Sequence, residues 1–197
     1  MEEVINNLPI LRTTMRSFTS VLVLGLAAIS TALPLANVDK RELISYETLI
    51  SDIKGIDDGV KALTADLKAY DGSLTSEAPI AGDITAIHLA NRKGYTDANL
   101  RATKFNETET KAIVDYTVQS VGVSIPNSVE VLKSKKPEFE SKGMIPVILG
   151  GLKLLKYDHD SFSAALLAKT TGSQAEGTAV VKKIDDALQS GIDYYSS

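Results

Sequence analysis

The chain has 197 residues, 44% of them hydrophobic and 23% charged, enough length and apolar content for one domain with a sizeable core. A formal charge of -4 and a pI near 5.3 exclude the basic face that nucleic acid would require, and the short run Lys133, Lys135 and Lys136 reads as a solvated helix end. With no cysteine, disulfides, thiol nucleophiles and thiolate metal sites are excluded together.

Arg12 and Arg16 precede an apolar run from Phe18 to Ile29, and Ser30, Thr31 and Ala32 supply small residues at its exit. A positive end, a short apolar run and a small-residue exit form a secretory signal, too short and wrongly flanked for a membrane span. The sequence therefore predicts export, with residues 1–32 as an N-terminal extension and signal peptide and Met15 as good a start as Met1. Residues 33–41 form a candidate pro-segment ending at Lys40-Arg41. That pair reads equally as a dibasic processing site or as two exposed charges before a helix. Residues 42–197 are expected to form a single helical-bundle domain.

Leu49, Ile53, Ile56, Val60, Leu63, Leu67 and Tyr70 recur at alternating steps of four and three, the seam of a long amphipathic helix from Tyr46 to Tyr70. Asp52, Lys54, Asp57, Asp58, Lys61, Asp66 and Lys68 are assigned to its solvent face. After the turn Asp71-Gly72-Ser73, the stretch Ser76-Glu77-Ala78-Pro79 predicts a second helix start with Pro in the first turn. Its seam, Ile80, Ile84, Ile87, Asn91, Tyr95 and Ala98, is mixed. Asn91 and Tyr95 are either satisfied within the core or available to a polar ligand head group, because a buried amide or phenol needs a hydrogen-bond partner.

Asn106-Glu107-Thr108-Glu109 has the form of a capping box and predicts a third helix start; its first three residues are also a glycosylation sequon at Asn106. Val114, Val118, Val121 and Ile125 continue the seam to Pro126, where the missing amide predicts a break or kink. A shorter helix follows through Val129 and Leu132 to Lys135-Lys136-Pro137. Ile145, Ile148, Leu152, Leu155, His159, Phe162 and Leu166 form the next stripe, and Val181, Ile184, Leu188, Ile192 and Tyr195 the last. His159 and His88 are the two histidines and share no zinc-type spacing, so His159 reads as structural or solvent-edge and no metal site or cofactor is expected. The fold predicted is all-α, an antiparallel bundle of five to six amphipathic helices.

The order of these parts resembles a known family. A secretory signal, then SYETLISDIKGIDDGVKALTADLKAYDG, then IPNSVEVLKSKKPEF, then a helix carrying FSAAL, is similar to the fungal hydrophobic surface binding protein A family and its relatives, the cell-wall galactomannoproteins. The likeness spans roughly residues 43 to 195 and rests chiefly on hydrophobic spacing. It implies a non-catalytic secreted protein that adsorbs to hydrophobic surfaces, in some members helping a secreted esterase reach a polyester. Relatives in the wall imply an alternative, a carrier holding long-chain fatty acids inside the bundle, and a structural or antigenic wall protein is a third reading. The C-terminal Gly191 to Ser197 is not an apolar tail, so no GPI anchor is expected, and the Ser/Thr-rich stalk expected of a mannoprotein is absent from the sequence.

Helix bundles place apolar ligands between their seams. If an acyl tail binds, the mid-helix positions Ile53, Ile56, Val60, Ile84, Ile87, Val118 and Leu152 are expected along it, with Asn91 and Tyr95 at the polar head. Gly55, Gly59, Gly94, Gly122, Gly143, Gly150 and Gly151 either ease opening of the bundle or permit close helix packing. No Gly-x-Ser-x-Gly elbow, metal motif or phosphate loop is present, and no catalytic residue is expected.

Overall fold

A computed structural model describes residues 44–197, and every described segment of regular structure is helical. The signal segment, the candidate pro-segment and Lys40-Arg41 lie outside the described residues. The helices are α1 (Tyr46–Ala69), α2 (Leu74–Leu100), α3 (Glu107–Gln119), α4 (Val121–Ser134), α5 (Lys136–Ser141), α6 (Ile145–Leu167) and α7 (Gln174–Ser196).

The long helices form a closed ring in which α1 packs on α2, α2 on α6, α6 on α7, α7 on α4 and α4 back on α1, with α3 continuing the α4 leg. Successive legs along the chain alternate in direction. Asp52 of α1 pairs with Lys93 of α2, and His159 of α6 meets Val181 of α7 while Gly191 meets Leu152, so these hairpins are antiparallel. Across the chain order, neighbours run the same way. Asp57 and Tyr70 of α1 meet Ser124 and Lys135 at the two ends of α4, and His88 and Gly94 of α2 meet Asp158 and Phe162 of α6.

All seven seam residues of α1 are buried. Two residues assigned to its solvent face are buried as well: Asp52 and Asp57 are 5% and 3% exposed. Asp52 is met from another leg by Lys93, and Asp57 by the Ser124 hydroxyl of α4 at 2.6 Å and by Lys61 one turn on in α1 at 2.6 Å. The second helix begins a turn earlier than predicted, because Ser73 accepts from the Ser76 amide and caps it. The capping box at Asn106 forms as expected, with both of its hydrogen bonds at 2.9 Å.

The break expected at Pro126 lies instead at Ser120, which has φ -105° and ψ -99° and ends α3 as it starts α4. Restarting at Val121 makes Pro126 the sixth residue of α4, where its missing amide costs only the bond to the Gly122 carbonyl. A β-carbon on Gly122 would stand 2.8 Å from Val180 and 3.0 Å from the Thr117 carbonyl, so the offset leg presses against α7 at this point. Gly94 serves the same purpose between α2 and α6, where a β-carbon would lie 2.6 Å from the Phe162 ring. Gly143 is no helix-interior residue; it occupies the turn before α6 with φ +69°.

Candidate functional site

The five seams enclose a cavity of about 110 Å³ along the bundle axis, lined from Leu63, Leu132 and Ile148 at one end to Thr170 and Gly177 at the other. On α6 its wall runs from Ile148 to Leu167, roughly 28 Å at 1.5 Å per residue. The wall is aliphatic over most of its area and contains no Asp, Glu, Lys or Arg.

Each end is closed differently. At the floor, Tyr70 stacks on Phe139 of α5 with ring centroids 4.4 Å apart, and the Tyr195 hydroxyl donates to the Leu132 carbonyl at 2.6 Å. The lysine run expected to face water is used here: Lys135 donates to the Tyr70 carbonyl, Lys136 to that of Tyr194, and Lys133 to the Ser190 hydroxyl. At the roof, Phe105 is buried beneath the Arg101 guanidinium, 4.0 Å from its ring, and its amide donates to Lys169 O at 2.7 Å. Arg101 also donates to Ile44 O at 2.5 Å and faces Glu109, while Lys169 donates to Arg101 O and the Thr171 amide to Thr110.

The polar groups of the wall are Asn91, Thr117, Ser128, His159, Ser163 and Thr170. His159 Nε2 lies 3.2 Å from the Val181 carbonyl, which can only accept, so Nε2 carries the proton and Nδ1 accepts from the Ser163 hydroxyl at 3.3 Å. Burial holds this imidazole below its ordinary pKa against the opposing pull of the Val181 carbonyl, Asp160 and Asp185. The ring is neutral and tied. Asn91 donates one amide hydrogen to Ile87 O at 2.9 Å. Outside the wall, Asp158 is fully buried and receives His88 at 2.6 Å, while its second carboxyl oxygen has no partner.

A family model for hydrophobic surface binding protein A matches residues 46–168, most of the described helices. The chain belongs to that family.

None of the curated proteins matches the sequence. Among solved structures, this family member is similar to AFMP4P in complex with palmitic acid, with 20% identity and a TM-score of 0.73 over 77% of this chain and 99% of that one. It is also similar to ligand-binding domain 1 of the Penicillium marneffei MP1 protein complexed with arachidonic acids, at 22% identity and TM-score 0.69 over 75% of this chain and 95% of that one. Domain 2 of the same protein, with multiple arachidonic acids, matches at 17% identity and TM-score 0.69 over 75% and 93%. These likenesses establish a shared fold.

Within it, Ile53, Ile56, Val60, Ile84, Ile87, Leu152 and Asn91 all line the cavity. Val118 packs against the core from the side, and the adjacent Thr117 occupies the wall. Tyr95 lies outside the wall, half-buried, with the Arg92 guanidinium 4.6 Å over its ring. His159 was legible as a seam residue, but its role as a wall residue paired with Ser163 was not. The signal available was Ser163 four residues on, together with Leu166 and Thr170 on the same face. Among the described residues no group of His, Cys, Asp or Glu is placed to hold a metal, and no helix is long and apolar enough to cross a membrane.

Proposed function

We propose that this chain is a secreted, non-catalytic binder of long-chain acyl lipids such as fatty acids, which it holds along the bundle axis. The observation that carries the reading is the continuous aliphatic cavity reaching from Leu132 to Thr170 between five legs. Burying about fifteen methylenes gains on the order of 12 kcal/mol gross. Association costs of ~4–15 kcal/mol leave micromolar binding within reach without a strong polar contact. A cavity of about 110 Å³ is narrow beside the ~300–1,000 Å³ of ordinary ligand pockets, so loading requires half-buried seam residues such as Ile84 and Leu155 to move outward. The acyl complexes of the structurally similar AFMP4P and MP1 domains support the assignment.

Catalysis finds little support in the His159–Ser163 pair. The ring is anchored by a backbone carbonyl, not by a carboxylate that would stabilise an imidazolium, and burial makes it a poor base. Purified protein is expected to leave short ester substrates unchanged relative to buffer.

A second reading, adsorption to hydrophobic surfaces with recruitment of an esterase, is favoured by the outward-facing Val147, Leu154 and Tyr157 of α6, spaced seven and three residues apart. One comparison separates the two. Stoichiometric lipid recovered by native mass spectrometry and lost in Val60→Trp, with helical circular dichroism intact, supports the carrier. Binding to polyester film that Val60→Trp leaves unchanged, with no lipid recovered, overturns it in favour of adsorption.

A further inference from the structure

An apolar cavity sorts ligands by the charge of their head group as much as by the length of their tail. Here the sorting is one-sided. The whole wall contains no cationic side chain, and its one ionisable residue, His159, holds its single proton on the Val181 carbonyl. What the wall does offer is neutral. The Asn91 amide retains its carbonyl oxygen and a second N–H after bonding Ile87 O, and the Ser163 hydroxyl retains lone pairs after donating to His159. These groups occupy one level of the bundle, since His88 meets Asp158 one turn to the floor side of Asn91 and Gly94 meets Phe162 one turn to the roof side.

Of the cations at the roof, Lys104 is exposed and no part of the wall, and the other two are committed elsewhere. Arg101 is bound to two backbone carbonyls and faces Glu109, and Lys169 is bound to the Arg101 carbonyl. Around His159 stand Asp160 and Lys156 on its own helix and Asp185 on α7, with the His88–Asp158 pair between α2 and α6. Lys156 is itself bound by both Asp160 and Asp185. A carboxylate brought to the polar level would lose its water and find no counter-charge, an arrangement buried ions do not tolerate.

We infer that the site selects acyl lipids whose polar group is uncharged: a fatty alcohol, an acyl ester or glyceride, or a fatty acid in its protonated form, with that group held at Asn91, His159 and Ser163. This rests on the acyl-binding reading above and specifies its ligand class. A free acid of ordinary pKa near ~4.5 is neutral in about one molecule in 300 at pH 7. Such an acid therefore binds through a minor species, and its apparent affinity rises about tenfold for each pH unit lowered toward that pKa.

The experiment is calorimetric titration of the full chain with dodecanol, methyl dodecanoate and dodecanoic acid between pH 5 and pH 8. The alcohol and the ester should bind at every pH with little change, which also controls for titration of the protein. The acid should bind about 300-fold more weakly than the alcohol at pH 7 and approach it toward pH 5. Ser163→Ala should weaken the alcohol more than the ester, because only the alcohol has a hydrogen to donate as well as an oxygen to accept. Acid binding as tight as that of the alcohol at pH 7, and flat with pH, would overturn the inference while leaving the acyl-binding reading intact. Failure of all three ligands to bind would overturn both.

Discussion

The floor and the roof of the bundle close the same cavity by different physics. The floor is a packed aromatic plug: Phe139 and Tyr70 are fully covered and stacked, and a dedicated short helix exists to deliver Phe139. The roof also has a buried aromatic, Phe105, but that ring is held by charge-assisted and backbone hydrogen bonds converging on Arg101, Lys169 and Thr110. Apolar burial acts without regard to direction, whereas hydrogen bonds lose most of their strength with small changes of geometry. The floor has hydrogen bonds of its own, from Lys133, Lys135, Lys136 and Tyr195, but adds a stacked aromatic pair that the roof lacks, so ligand exchange is expected at the roof.

Four changes sharpen or break that contrast. The largest expected effect is Phe139→Ala, which removes a fully buried ring and should cost about 3–5 kcal/mol in chemical denaturation. Ligand exchange should be unaffected in the surviving folded protein; faster exchange would show that the floor is also a door. Arg101→Met keeps the length of the side chain and removes its charged hydrogen bonds to Ile44 O and Thr103 O, for about 1.5–3 kcal/mol. In stopped-flow measurements it should accelerate release of a bound acyl ligand, and unchanged release would place the exit elsewhere.

Asn106→Ala, at the cap of the roof helix α3, should cost about 1 kcal/mol and raise amide exchange first over residues 107–110. The smallest effect concerns Asp83, held up to about 6 by partial burial and then by the Asp66 carboxyl beside it. A raised acid pKa means the folded state binds the proton more tightly than the unfolded chain. The contribution is fully present below about pH 4 and is lost as pH rises to about 6. Asp83→Asn should flatten stability over that interval in urea titrations at successive pH values; an unchanged slope would show that the Asp83 carboxyl is not raised in the folded protein.

Much of this architecture was written in hydrophobic spacing. The seam of α1 predicted every buried aliphatic on that helix, because a long helix with steps of four and three has one choice of inner face. Asn106 and Glu109 specified a helix start through bonds made within four residues, so no distant partner was needed. What escaped the sequence depends on such partners. Asp52 and Asp57 look like solvent residues until Lys93 and Ser124 arrive from α2 and α4, and the lysines after Leu132 look solvated until the ends of α1 and α7 come within reach. Pro126 marked a weak point, yet the break settled at Ser120, where the close approach of Gly122 to Val180 fixes the leg. A hollow axis was not legible at all, since a cavity is a property of five seams together. The two residues expected together at the polar head illustrate this: Asn91 faces the axis, while Tyr95, one turn on, lies to the side with Arg92 over its ring.

A ring of five legs cannot alternate in direction all the way round, and the surplus has an electrical consequence. Three helix N-termini, those of α1, α3 and α7, gather at the roof against two C-termini, so the backbone dipoles leave that end with a net positive bias and the floor with a negative one. The side chains are sorted against this field. Glu47, Glu107, Glu109 and Glu176 occupy the first turns at the roof, and Lys68 and Lys133 the last turns at the floor. The odd leg therefore gathers carboxylates at the helix starts of the roof, where they offset the field left by the backbone and where Glu109 faces Arg101.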